Sequence, residues 1–185
     1  MAQSCSHAAM EHGFMLDNIS DRAGWSWQEL ANEQVPLVWP LLTIAGAGLT
    51  REAWQRLAAR WLELTEYGAG GLGAVRTRSG AFVAIAGYRF VGVQSLRSMR
   101  LGFLRVLELA GEPIVLRAVL RALRRIADSK DCTEVVILAE PGDHYDLADS
   151  LEQCGREFRA ESCDNGWRLP LDGRGNVVSL MDARV

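Results

Sequence analysis

Apolar residues return every three or four positions in two stretches of this chain, and these stretches predict its best-marked helices. Over Pro113–Ser129, the residues Leu116, Val119, Leu120, Leu123, Ile126 and Ala127 fall on one face. Pro113 suits the first helical position, and Arg124, Arg125 and Lys130 complement the negative end of the helix. In the second stretch Thr50 is placed to cap and Glu52 sits in the first turn. Trp54, Leu57, Trp61 and Leu64 then recur at helical spacing, with Arg51, Gln55, Arg56 and Arg60 on other faces, which is the pattern of a core stripe. Three shorter helices are expected. Trp25–Leu30 opens one, Val38–Leu42 carries Pro40 in its first turn, and His144–Cys154 is stopped by Gly155.

The strands read differently. Gly73–Arg76 and Ala81–Phe90 are expected to pair across a turn at Ser79-Gly80, the second being apolar on both faces as in a central strand. Phe103–Leu109 and Thr133–Ala139 are further strands, followed by Glu157–Ser162, Trp167–Leu171 and Val177–Leu180, with Pro170 expected at an edge. Gly68–Gly73 lacks the phosphate-loop pattern GxxxxGK(S/T) and no helix follows it, so it reads as a connector. Val91–Arg100 reads as a loop. Residues 1–24 show no periodicity, so residues 1–34 are expected to form a partly ordered arm before a single domain over 35–185.

Composition narrows the function classes. With 185 residues, 49% hydrophobic and 23% charged, the chain has the proportions of one globular domain. A formal charge of −3 supplies no basic field for nucleic acid or an anionic membrane. The Arg117, Arg121 and Arg124 stripe reads as a solvated face. Lys130 is the sole lysine, which argues against lysine-based catalysis. Cys5, Cys132, Cys154 and Cys163 form no CxxC pair and no zinc spacing, so reduced thiols, no metal and a cytoplasmic location are expected. Met1–Ile19 has no signal-peptide pattern, and Val35–Leu49 is too short and too proline-interrupted to span a bilayer.

Helices, a hairpin, a third strand, a long helix, a strand, a helix and final strands make an α+β order. Over roughly Val35–Leu171 the chain resembles the GNAT N-acetyltransferase superfamily. The likeness lies in Val38-Trp-Pro-Leu-Leu42 before the Thr50–Leu64 helix, in Gly73–Arg76 with Val83–Arg89, and in Leu104–Leu109 before Leu116–Leu123. Ala148–Gly155 is similar to that family's A-x-x-(L/Y)-x-x-x-G segment. The resemblance implies a mixed, largely antiparallel sheet of six to seven strands with helices on both faces. It also implies acyl transfer from acetyl-CoA, or another acyl-CoA, to a small-molecule or protein amine.

The resemblance places the cofactor where the fourth strand parts from the fifth. Leu109, Ala110 and Gly111 would hold the pantetheine arm, and the amides of Ile114, Val115 and Leu116 would face its phosphates. Family members carry an (R/Q)-x-x-G-x-(G/A) loop there; this chain has Ala110-Gly-Glu-Pro113. Pro113 offers no N–H and Glu112 sets a negative charge beside the anion. Losing two or three charged hydrogen bonds costs about 3–9 kcal/mol, against roughly 8 kcal/mol for micromolar binding. Arg100 and Arg117 are the cations that would compensate. Glu108 shares a strand face with Leu104 and Val106 and is the candidate base, desolvation raising its pKa; the alternative is an ion pair with Arg76 or Arg89. The family's acidic tyrosine falls at Leu151, leaving Tyr145 as substitute, with His144 and Glu140 nearby and His144 with Cys154 or Cys163 as a nucleophilic pair. The rival reading is a non-catalytic partner-binding or sensing module, and Trp25 and Trp27 are expected to pack either on their own domain or on another chain, as in a homodimer.

Overall fold

The computed structural model describes residues 24–93, 96–107, 113–138, 147–163 and 166–171, and the backbone of 19–20. Its centre is a mixed sheet whose spatial order runs β1-β2-β3-β4-β5-β6-β8-β7. The strands are β1 (Ile19–Ser20), β2 (Ser26–Glu29), β3 (Gly70–Arg76), β4 (Phe82–Val91), β5 (Ser98–Val106), β6 (Glu134–Leu138), β7 (Glu161–Cys163) and β8 (Gly166–Pro170). Every neighbouring pair is antiparallel except β5 and β6. The helices are α1 (Trp39–Ile44), preceded by a 3-10 segment at Asn32–Val38, then α2 (Arg51–Glu66), α3 (Ile114–Ser129) and α4 (Leu147–Phe158).

Strand alternation divides the sheet into two cores. Trp27, Val75, Ala84, Ala86, Tyr88, Met99 and Leu101 pack with α3, and Leu151, Cys154 and Phe158 of α4 join them. Leu72, Ala74, Ile85 and Phe103 face the other way, against Val35, Val38, Leu41, Leu42, Trp54 and Ala58. The mixed α+β sheet with helices on both faces is therefore as the resemblance implied, here with eight strands among the described residues. Thr50 caps α2 as expected, its Oγ1 accepting from the Ala53 N–H at 3.2 Å. Trp54 is fully buried and donates its indole N–H to the Val35 carbonyl at 3.0 Å.

Several elements depart from the sequence reading. Ser26–Glu29 is a strand, not the start of a helix, and pairs with β3 from Ser26↔Arg76 to Glu29↔Gly73. Trp27 is 3% exposed and lies over Gly73, where an added Cβ would sit 2.2 Å from its ring. Both tryptophans of the predicted arm pack on their own domain, Trp25 against the α3-side core. The glycine-rich connector is likewise strand from Gly70 onward, because bare backbone there admits Trp27 and Tyr88. Ser98–Arg100, read as loop, opens β5, with Met99 inward and Arg100 exposed. The α4 helix passes Gly155 and ends at Phe158, which is 3% exposed, followed by Arg159 at φ 52°. Pro170 ends β8, beyond the reach of β7. Val177–Leu180 lies outside the described residues. None of the described helices is long and apolar enough to cross a membrane.

Candidate functional site at the opening between two parallel strands

Among the described residues the parallel pair β5 and β6 is joined from Ser98↔Glu134 to Leu101↔Ile137. Beyond it β5 continues to Val106 paired with β4, and among the described residues it has no partner on its other side, so the sheet splits there. The split coincides with an irregularity: Gly87 pairs with Phe103 while Tyr88 pairs with Leu101, which leaves Gly102 as an extra residue. A bulge of this kind bends its strand and increases the local twist. It also moves the side-chain phase by one position. Met99 and Leu101 face α3 before it, and Leu104 and Val106 after it.

The alternation fixes which backbone groups line the opening. Leu107 donates its N–H to the Val83 carbonyl at 2.8 Å, so Arg105 and Leu107 turn toward β4 while Leu104 and Val106 turn toward the gap. The Leu104 carbonyl already accepts from Arg105 Nη1 at 2.6 Å, and the same guanidinium lies 5.0 Å from the Phe103 ring centre. On the α2 side Trp61 covers the bulge. An added Cβ on Gly87 would meet its ring at 2.6 Å and one on Gly102 at 3.0 Å. Arg105 and Trp61 were not singled out for function from the sequence. The signals were an arginine inside an apolar strand and a tryptophan facing two glycines, the second of which depends on register.

The α3 helix begins close in sequence to the end of β5. Its N-cap is Pro113, with no side-chain cap, and the carbonyl of Pro113 accepts from the Arg117 N–H at 3.0 Å. Val115 and Leu116 are buried at 1% and 0% exposure and each has a further partner, whereas Ile114 is 39% exposed. Of the predicted compensating cations, Arg117 lies 3.6 Å from Glu157 of α4, and Arg100 sits on β5 below the split, opposite Val136. Arg76 bonds the Gly80 carbonyl and Gln28, and Arg89 is exposed. Glu108, Leu109, Ala110, Gly111, Glu112, Glu140, His144 and Tyr145 lie outside the described residues.

Cys132, Cys154 and Cys163 are free thiols. Burial pushes the Cys132 thiol above its ordinary value, the opposite of an activated nucleophile. Cys154 is buried, its Sγ 4.0 Å from the Pro113 carbonyl. Leu151, at the family's tyrosine position, is fully buried core. Among the described residues, no group of three or more His, Cys, Asp or Glu is placed to hold a metal.

By sequence, no family model and no curated protein matches the chain. By structure, it is similar to a ribosomal-protein-S5-alanine acetyltransferase from Vibrio fischeri, with TM-score 0.56 and 13% identity over 71% of this chain and 79% of that one. It is also similar to a ribosomal-protein-alanine N-acetyltransferase from Brucella melitensis biovar Abortus 2308, with TM-score 0.55 and 17% identity over 75% and 93%. A glucosamine-6-phosphate N-acetyltransferase from Arabidopsis thaliana matches with TM-score 0.50 and 14% identity over 71% and 90%. The split parallel pair thus sits in a chain with the GNAT acetyltransferase fold, divergent in sequence from its structural neighbours.

Proposed function

We propose that the chain is an acyltransferase that moves an acyl group from coenzyme A to an amine, using the opening between β5 and β6. The observation that carries this reading is the end, among the described residues, of the parallel pairing at Leu101↔Ile137, beyond which Leu104 and Val106 turn away from β4. An extended pantetheine arm, with its alternating amides, suits such an edge as an added strand does. Bound there, the cofactor would supply the activated thioester. The chain's part is to orient the two reactants, with the Trp61 ring and the Gly87–Gly102 floor as the wall on the α2 side. Glu108, two residues beyond Val106, is assigned as the base that takes the ammonium proton of the acceptor, directly or through water, and Tyr145 as the proton donor to the departing thiol.

The phosphate end is less well provided. Pro113 lacks an N–H, Val115 and Leu116 are engaged, and Arg117 lies beside Glu157. This supports a second reading, in which the fold serves as a non-catalytic binding module. The neighbours are named for acceptors as different as a ribosomal-protein alanine and a sugar phosphate, so the acceptor is open within amines. Titration with acetyl-CoA separates the readings. A ligand at 100 times its Kd stabilises the folded state by about 2.7 kcal/mol, and the enzyme reading expects a rise in Tm at millimolar acetyl-CoA. Glu108→Gln should then abolish transfer while leaving that rise intact. No rise at millimolar concentration would leave the binding module.

A further inference from the structure

Toward the Phe90 end of β4 lies a cleft of about 220 Å³ lined by Glu29, Thr65, Gly68, Gly70, Tyr88, Phe90, Ile126, Ser129 and Lys130. It opens where β2 stops at Glu29, opposite Gly73, while β3 runs on to Gly70, so three residues of strand edge have no neighbour in β2. The floor exists because Gly71 is bare. A Cβ there would lie 2.8 Å from the Tyr88 hydroxyl and 3.2 Å from Thr65 Oγ1.

The cleft carries polar groups of both signs. Tyr88 donates its hydroxyl to Glu29 Oε1 at 2.9 Å, Ser129 to the Ile126 carbonyl at 2.7 Å, and Thr65 to the Trp61 carbonyl at 3.4 Å. All three hydroxyl hydrogens are thus committed, and these side chains present lone pairs beside the Glu29 carboxylate. Burial, with the Glu29 charge second, holds the Tyr88 phenol well above its ordinary value, so it stays a donor to Glu29 throughout the physiological range. The C-terminal ends of α2 and α3 reach the same place, where Arg97 Nη1 donates to the Lys130 carbonyl at 3.4 Å. Donors line the cleft as well: Lys130 is exposed there, and the Leu72 carbonyl accepts from Leu30, so Gly70 turns its own N–H toward the β2 side, past the end of β2. Phe90, Ile126 and the Tyr88 ring supply apolar lining.

We propose that this cleft is a binding site for a small zwitterion of the amino-acid class, its ammonium held by Glu29 with the Thr65 and Ser129 oxygens and its carboxylate by Lys130 and the Gly70 amide. The size fits a single amino acid with an apolar side chain against Phe90 and Ile126. The site lies toward the Phe90 end of β4, with Tyr88 two residues from Ala86, the partner of Leu104, and it does not depend on acyl transfer, so it is read without acyl-CoA. L-leucine, isopentylamine and isovalerate share an isobutyl group and carry, in that order, both charges, the positive one and the negative one. In calorimetric titrations of the whole chain at millimolar ligand, L-leucine should bind best, isopentylamine more weakly and isovalerate not at all. Glu29→Gln still accepts from Tyr88 and should fold, but should weaken leucine by at least about tenfold. Thr65→Val, nearly isosteric, should weaken it less, and Lys130→Ala should bring leucine down to the level of isopentylamine. Circular dichroism checks that each variant is folded. The proposal is overturned if leucine does not bind, if isovalerate binds as well as leucine, if wild-type protein binds isopentylamine as tightly as leucine, or if Glu29→Gln binds unchanged.

Discussion

The two faces of the sheet handle glycine in opposite ways. On the α3 face, Gly73 and Gly71 are bare so that Trp27 and Tyr88 can lie flat on the strand, and the aromatic pair closes the core with ring centres 6.5 Å apart. On the α2 face, Gly87, which pairs with Leu72 between those two glycines, and Gly102 are covered by the partly buried Trp61, beside a stretch of β5 that has no partner beyond β4 among the described residues. The first arrangement spends glycine on packing. The second spends it on a wall beside an open edge, which is where chemistry has room. A glycine under an aromatic ring therefore carries no functional meaning by itself; the pairing of the neighbouring strand decides.

The sharpest test of this contrast is at Trp27. Trp27→Ala should destabilise the domain by about 3–5 kcal/mol, because a fully buried ring is removed and its glycine partner cannot refill the space. Chemical denaturation measures it, and a loss of under 1 kcal/mol would mean that β2 is not part of the core. Gly73→Ala should follow at about 1–3 kcal/mol, since the new methyl group meets a rigid indole rather than a flexible chain end. Gly102→Ala should fold with a smaller loss, because Trp61 is less confined. Its larger effect is expected on acyl transfer. A Gly102→Ala protein as badly destabilised as Gly73→Ala would erase the distinction between the two faces.

A smaller effect is expected at Tyr88. Its folded pKa is raised by burial, so the unfolded chain loses the phenolic proton first and stability falls as pH rises above the ordinary tyrosine value of about 10. Tyr88→Phe should lose about 1 kcal/mol of hydrogen bonding at neutral pH and show a shallower alkaline decline than the wild type. Equal slopes would contradict the buried phenol. The smallest change is expected at Arg121→Ala, whose 2.6 Å bridge to Glu157 is exposed and worth about 0–1 kcal/mol.

The difference between the faces also explains what was legible in the sequence. The α3 stripe and the apolar run of β4 were readable because burial there follows the chain's own periodicity. Ser26–Glu29 was misread because its outward neighbours look helical in composition, while the reason Trp27 alternates inward is Gly73, a residue 46 positions away that only register brings beneath it. The early start of β5 was hidden by Arg97 and Arg100, which sit at a sheet end where arginine is tolerated. The α4 helix outran Gly155 because Phe158 enters the core and Glu157 reaches Arg117 and Arg121, contacts made by another helix. For the site, the place of the split followed from the family resemblance. Its bulge, its Trp61 wall and the position of Arg105 required the register shift at Gly87, which no residue pattern announces.

The central claim, that the split edge of β5 holds an acyl-CoA arm, is tested most directly by amide hydrogen exchange at Leu104 and Val106 with and without acetyl-CoA. The account predicts that these two amides, turned away from β4, slow on binding, while the Arg105 and Leu107 amides, already bonded toward β4, change little. Saturating acetyl-CoA that leaves Leu104 and Val106 exchanging as before, or that protects only residues at the far end of the sheet, would contradict it.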